Sequence, residues 1–314
     1  MSHIFDALQR SEAESIGGET APAWSAGYPP ATELLQAAER KMQMQAAAAG
    51  VVGTPSNGTA ANGNGRHDHA AATSSELDQF PTLPVSILPS SRLVSVGAEE
   101  SLGAEKFRFL AVKLRQLRQS RTLKKVLITS TIPQEGKSTV AANLACTLAR
   151  RKQHKTLLLE GDLRRPAVAE KFGLGRLPGL CEWLSGKTEN INIYRLESLG
   201  LWILPAGSAP QNPLELMQSG KLLSLMEQLE SWFDWIVIDS PPVLPLADAS
   251  IWSRLSDGIL LVTRKGITEK QQLQRGIEAI ERSKLLGALV NSSSNVAHSD
   301  YYQRYNSPPA DRSK

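Results

Sequence analysis

An α/β domain with a doubly wound, mainly parallel sheet and helices on both faces is what this sequence predicts. Three observations carry that expectation. Five short runs, KKVLITS, TLLLEG, WIVIDS, DGILLVT and LLGALVN, are apolar on both faces, as strands buried in a parallel sheet must be. Stretches with helical periodicity separate several of them, which is the alternation that places helices over a sheet. Composition also shifts: the first hundred residues are rich in Ala, Gly, Ser, Asn and Pro, and the β-branched runs begin only after about residue 105.

In chain order, Ile4, Phe5 and Leu8 share a helical face. A helix this short does not hold itself together alone, so it would fold on a partner or a surface. A second helical patch is expected at 32–49. The run from 50 to 75, GVVGTPSNGTAANGNGRHDHAAATSS, reads as a flexible linker, and its His67 and His69 as solvated residues rather than metal ligands. Residues 1–100 are thus expected to be largely disordered, with 101–292 as the folded domain and 293–314 as a flexible tail. Within the domain, SLGAEKFRFLAVKLRQLRQ is an amphipathic helix with Phe107, Leu110, Leu114 and Leu117 on one face. KKVLITS is the first strand, 136–151 a helix, and TLLLEG, WIVIDS, DGILLVT and LLGALVN the later strands, with helices at 213–232 and 268–283.

The 314-residue chain carries a mild formal charge of +4. Arg115, Arg118, Arg121, Lys124 and Lys125 cluster, which reads first as a solvated helix face and second as a contact for an acidic partner or anionic lipid. Nucleic acid is the weakest reading, because no basic-plus-aromatic pattern accompanies the cluster. Cys146 and Cys181 sit in apolar helical contexts, as buried thiols in a reducing compartment do. No apolar run approaches the ~20 residues that cross a bilayer, and MSHIFDALQRSE lacks the layout of a secretory signal. The expected location is cytoplasmic, peripheral to the inner face of the membrane.

Three segments carry the chemistry. TSTIPQEGKST (129–139) lies between the first strand and the next helix and ends as a P-loop, the phosphate cradle of P-loop NTPases. Amides of the loop and of the helix N-terminus favour an anion, which makes Gln134, Glu135, Gly136, Lys137, Ser138 and Thr139 the candidate nucleotide-binding residues. Lys137 would reach the β- and γ-phosphates and the Ser138 hydroxyl would bind Mg²⁺. The strict pattern asks for Gly at 131, where Thr131 stands, so the loop is of a deviant type. LLLEGDLRRP (157–166) sets Glu160 and Asp162 at the carboxyl end of a parallel strand, over the crevice where open α/β sheets bind ligands. Both carboxylates can face that crevice only if the chain bends at Gly161, and Arg164 and Arg165 add cations beside the phosphates. WIVIDSPPV (235–243) ends an apolar strand on Asp239, a Walker-B-type carboxylate for Mg²⁺.

Together these segments resemble the bacterial tyrosine kinases of capsule and exopolysaccharide synthesis, the cytoplasmic kinase domains of polysaccharide co-polymerases. The resemblance spans roughly 105–291 and includes LPAGSAPQNPLELM (204–217). It implies an autokinase that uses ATP and Mg²⁺, transfers the γ-phosphoryl group in line, and regulates polysaccharide synthesis or export. It implies catalytic roles for Lys137, Glu160, Asp162 and Arg164, metal binding by Ser138, Asp162 and Asp239, and a place for Asn291 near the nucleotide base. Asp248 matches a family aspartate near the site. Tyr301, Tyr302 and Tyr305 match the family's C-terminal acceptor tyrosines. A membrane-embedded co-polymerase as activator and self-association are the implied partnerships. Two positions depart from the pattern: Glu160 stands where the family has an aspartate that helps activate the acceptor, and the ring-forming Glu-x-x-Arg-x-x-Arg stretch keeps Glu105 and Arg108 but ends on Ala111.

Two other readings stay open on sequence. A non-kinase ATPase switch of the partition type would carry a signature lysine where Ile132 stands. A degenerate, ATP-sensing regulator of a polysaccharide export complex is the other.

Overall fold

The computed structural model describes residues 76–151, 153–244 and 247–291. All lie in the second of the two units into which the chain divides, Asp68–Lys314. The expected N-terminal helices, the linker with His67 and His69, and the tail with Tyr301, Tyr302 and Tyr305 fall outside the described residues.

The described chain starts well before the expected domain boundary at 101. Leu77 and Leu93 are buried, Phe80 packs edge-on against Trp232, and the Trp232 indole N–H donates to Glu76 at 2.6 Å. Apolar side chains and a sheet edge with free backbone groups explain this, because an edge strand pairs with whatever extended chain lies beside it. One turn of helix, α1 (Val94–Gly97), leads to α2 (Leu102–Ser120), whose N-terminus is capped by the Ser101 hydroxyl accepting from the Ala104 N–H.

Strand β1 (Lys125–Ser130) feeds the phosphate loop and α3 (Lys137–Ala149). Every residue of α3 from Val140 to Ala149 is buried, and its many alanines let it lie close against the sheet on one side while α2 covers the other. After β2 (Thr156–Glu160) come two short helices, α4 (Val168–Lys171) and α5 (Leu180–Leu184). They precede β3 (Tyr194–Leu196) and β4 (Leu201–Leu204). Then follow α6 (Pro213–Gln218), α7 (Lys221–Trp232), β5 (Trp235–Asp239) and α8 (Asp248–Leu255). The last elements are β6 (Gly258–Arg264), α9 (Lys270–Glu278) and β7 (Leu285–Asn291).

The seven strands form one sheet in the order β3-β4-β2-β5-β1-β6-β7. All pairs are parallel except β3–β4. β1 sits centrally, with Leu127 opposite Ile238 of β5 on one side and Ile259 of β6 on the other. Alternate strand residues feed two cores: Leu127, Leu157 and Ile238 pack with Phe233 and Trp252 beneath one face, and Val126, Ile128 and Val237 pack under α3 on the other. The doubly wound fold is therefore as expected. Two strands were not: β3 and β4 extend the sheet as an antiparallel pair, and Thr82 adds a parallel bridge to Arg195 at its edge. The expected helix 213–232 is broken between Gln218 and Lys221, and 268–283 resolves into α9 plus a 3₁₀ turn at Arg282–Lys284.

The basic cluster is engaged within the fold. Arg118 stacks 4.9 Å from the Trp235 ring centroid, Arg121 donates to the Asp257 carbonyl at 2.6 Å, and Lys125 pairs with Glu230 and Asp257. No helix among the described residues is long and apolar enough to cross a membrane.

Candidate active site

The site forms at the carboxyl ends of β1, β2 and β5, where three loops leave neighbouring parallel strands. The phosphate loop is tightly held. Gln134 has φ +67° and Gly136 φ +92°, both in the left-handed region. At Gly136 a Cβ would come within 2.2 Å of the Asn291 amide nitrogen, so only glycine fits. Asn291, at the end of β7, donates to the Glu135 carbonyl at 2.9 Å, and Arg264 at the end of β6 donates to the Gln134 carbonyl at 3.2 Å. The Glu135 side chain is fully buried: it accepts from the Ile132 N–H at 2.8 Å and from the Thr268 hydroxyl. Glu135 was expected among the nucleotide-binding residues through the amides of the loop. Its carboxylate braces the loop from behind, because a buried acceptor is stable only where donors meet it. Thr131, in the place of the usual glycine, is buried against Gly276 of α9, where a Cβ would lie 2.9 Å from the Thr131 hydroxyl. The missing loop glycine is matched by one on the facing helix.

Lys137, the first residue of α3, extends its ammonium to within 2.9 Å of an Asp162 oxygen and 3.4 Å of the Ser138 hydroxyl. Burial works against its charge, yet Asp239, Asp162 and Glu160 outweigh that cost and hold its pKa above the ordinary lysine value. Asp162 also accepts from the Arg165 N–H at 3.2 Å. Arg164 is clamped by two hydrogen bonds to Asp248, at 2.7 and 3.2 Å, and Asp248 is itself buried at the start of α8.

Asp239 is 1% exposed, and no hydrogen bond of good geometry reaches either carboxylate oxygen from the described residues, the Ser138 hydroxyl being the nearest donor. Burial pushes its pKa up to about 6, against the pull of the Lys137 charge and the Ser138 hydroxyl. A buried carboxylate so thinly supplied with donors suits a cation. Among the described residues no three His, Cys, Asp or Glu side chains gather into a metal cage. That fits Mg²⁺, which takes one or two carboxylates and completes its shell with water and substrate phosphates. Asp239, Asp162 and the Ser138 hydroxyl are the hard oxygen donors at hand.

Glu160 is where geometry departs most from expectation. Gly161 lies against the Trp252 ring, and its N–H bonds to the Asp239 carbonyl at 2.7 Å, carrying the pairing with β5 one residue further. Asp162 lines the cavity and Glu160 does not. One Glu160 oxygen accepts from the backbone N–H groups of Ala167 and Val168, the second of these at 2.6 Å, and the other accepts from Ala206 at 2.9 Å. Burial raises its pKa while those three donors oppose the rise. The glutamate is a clamp between β2, the start of α4 and the end of β4, rather than an open base. Its extra methylene carries the carboxylate into this ring of amides.

The cavity has a volume of about 800 Å³ and runs from Asn291 and Arg264, past Lys137, Ser138 and Asp162, to Arg92, Val94 and Phe107. It is in the range of small-molecule sites. Two cations in it carry no sequence signal: Lys171, the last residue of α4, which donates to the Thr139 hydroxyl at 3.0 Å, and Arg92, from the segment expected to be disordered.

No protein-family model matches the chain. It is 36% identical over 212 residues to tyrosine-protein kinase YwqD of Bacillus subtilis, covering 67% of this chain and 89% of that one. It is 33% identical over 207 residues to the putative tyrosine-protein kinase CapB of Staphylococcus aureus, 64% of this chain and 90% of that protein. A match of 29% to tyrosine-protein kinase ptk of Acinetobacter johnsonii spans 69% of this chain but only 31% of that longer protein. Among solved structures, the chimerical protein CapA2B2 superposes with TM-score 0.60 at 30% identity over 71% of this chain and 98% of that one. The kinase domain of Escherichia coli tyrosine kinase ETK does so with TM-score 0.59 at 26% identity, over 64% and 82%. With YwqD and CapB covered over about nine tenths of their length, and a phosphate loop facing two strand-end aspartates, the chain belongs to the bacterial tyrosine kinase family.

Proposed function

We propose that the chain is a protein-tyrosine autokinase that takes its phosphoryl group from Mg-ATP and regulates capsule or exopolysaccharide synthesis or export. The observation that supports this best is the Lys137–Asp162 pair at 2.9 Å beside the buried carboxylate of Asp239. A cation for the phosphates, a carboxylate for a proton and a carboxylate for a metal thus converge.

The phosphate loop amides from Gln134 to Thr139 cradle the nucleotide phosphates, and Asn291 and Arg264 border the cavity on the side of β6 and β7. Lys137 and Arg164 bear on the transferring group, Arg164 held in place by Asp248. Asp162 lines the cavity whereas the Glu160 carboxylate is turned to three backbone amides outside it, so Asp162 is the carboxylate placed to accept the phenolic proton. As that proton moves, the tyrosine oxygen bonds to the γ-phosphorus. The bond from that phosphorus to the bridging oxygen breaks, and its electron pair leaves with ADP. Asp239, Asp162 and Ser138 would hold Mg²⁺, whose charge would offset that of the phosphate oxygens.

Tyr301, Tyr302 and Tyr305 are the acceptors in this reading, on a tail at 293–314 that follows the kinase domain. A membrane-embedded co-polymerase is the proposed activator, which places the chain at the inner face of the membrane and in contact with copies of itself. The test is peptide mass spectrometry of the tail in full-length protein expressed with its native membrane proteins, beside a Lys137→Ala version. Phosphate on the three tyrosines in the first and none in the second is expected. An unmodified tail in both overturns the autokinase reading.

A further inference from the structure

We propose that the end of the cavity walled by Arg92, Lys171 and Phe107 is the acceptor subsite, which takes the ring and oxygen of the tyrosine being phosphorylated. The proposal rests on the kinase reading above and adds residues that no motif of the sequence marks. Lys171 is partly buried, and among the described residues its ammonium bonds to the Thr139 hydroxyl at 3.0 Å and to no carboxylate. Lys137, by contrast, is paired with Asp162. Burial lowers the Lys171 pKa below the ordinary lysine value, with Asp239 and Glu170 opposing the fall and the charges of Lys137 and Arg92 adding to it. Lys171, Lys137 and Arg92 all line the cavity, and among the described residues only Lys137 of the three is bonded to a carboxylate. Cations left in this state favour an arriving anion.

Arg92 supports the assignment independently. It has φ +56°, a left-handed conformation that costs a side-chain-bearing residue free energy, and its backbone is fixed there by the Asn143 amide donating to its carbonyl at 3.0 Å. The same conformation caps the 3₁₀ turn Pro89–Ser91, with the Arg92 N–H bonded to the Pro89 carbonyl at 3.2 Å, and it sets an arginine in the cavity lining where a glycine would be relaxed. The Phe107 ring and Val94 line the same cavity. An apolar wall with adjoining cations is the complement of an aromatic ring ending in an oxygen that turns anionic and then carries a phosphoryl group.

The topology points to the same occupant. Asn291, the last residue of β7, lines this same cavity, and Tyr301 follows it by ten positions. Ten residues span at most about 33–36 Å, enough for the tail to re-enter its own cavity or that of an adjacent copy.

The test uses the full-length chain with Tyr301→Phe, Tyr302→Phe and Tyr305→Phe, so that its own tail does not compete. The acceptor is a synthetic peptide of residues 296–314. Lys171→Gln keeps a donor for Thr139, and Arg92→Gly removes the guanidinium while relieving the positive φ. Either substitution is expected to raise the KM for peptide about tenfold or more, the worth of one hydrogen bond to a charged group, with the KM for ATP unchanged. A rise in the KM for ATP with the peptide's fixed assigns the cations to the nucleotide and overturns the proposal, as does no change in either. If the parent chain transfers no phosphate, the kinase reading fails on its own. The subsite is then judged by calorimetric titration with the same peptide carrying phosphotyrosine: binding weakened about tenfold in both variants upholds it, and equal or absent binding overturns it.

Discussion

Replacing Glu160 by glutamine separates the clamp from the catalyst. The carboxylate accepts three backbone N–H groups, those of Ala167 and Val168 on one oxygen and that of Ala206 on the other, at a position 1% exposed. Glutamine offers one oxygen and one NH₂. In its better orientation the oxygen keeps Ala167 and Val168, and the NH₂ faces the Ala206 N–H, donor against donor. One buried N–H then lacks an acceptor, which costs about 1–3 kcal/mol. The two surviving bonds lose their ionic character, and charge-assisted bonds are roughly twice as strong as neutral ones. Against this, a neutral side chain no longer resists burial, the effect that raises the Glu160 pKa. The net expectation is a loss of about 2 kcal/mol. Urea unfolding of nucleotide-free Glu160→Gln beside the parent measures it, and the initial rate of tail phosphorylation under conditions where both are folded measures the chemistry. The reasoning predicts an earlier unfolding midpoint with a rate lowered by about tenfold or less, because Asp162 and Arg164 sit on the segment being clamped. A variant as stable as the parent whose rate falls about a thousandfold, the scale of a lost general base, would refute it.

Three further outcomes follow from the same structure. Asp239 titrates near 6 in the fold against 3.8 ordinarily. With its folded pKa raised, the stability it contributes is present below about pH 4 and lost as pH climbs through about 6; Mg²⁺ needs the ionised form, so titration calorimetry should show affinity falling roughly tenfold per unit below pH 6, with proton uptake on release. Gly276→Ala should destabilise by about 1–3 kcal/mol, since its Cβ meets Thr131 at 2.9 Å, and should become neutral or stabilising in a Thr131→Gly background, read by a thermal double-mutant cycle. Asp248→Asn should free Arg164 from its two-bond clamp and lower kcat by about ten- to a hundredfold with little change in the KM for ATP, which steady-state kinetics on the tail peptide resolves.

Much of this was legible in the sequence, for identifiable reasons. The five long strands announce themselves because they are apolar on both faces, and Lys137, Ser138, Asp162 and Asp239 because strand ends in a parallel sheet fix where such side chains stand. Strands β3 and β4 escaped because three and four residues are too few to establish a period. The break in 213–232 lies at Ser219–Gly220, where a lone glycine inside a helical pattern carries little warning. Glu160 misled because a carboxylate's type and position in sequence do not reveal which amides will surround it. Arg92 and Lys171 were invisible for another reason: tertiary packing alone brings a residue from before α1 and one at the end of α4 to the same cavity wall.

The central placement of β1 also bears on synthesis at the ribosome. The strand that carries the phosphate loop is flanked by β5 and β6, so that Leu127 waits for Ile238 and Ile259. Contacts so distant in sequence are slow to close and leave strand edges open meanwhile. A nascent chain that has exposed only the first half of the domain holds the phosphate loop without the sheet that shapes it. The phosphate loop therefore gains both of its flanking strands only once β5 and β6 have been made.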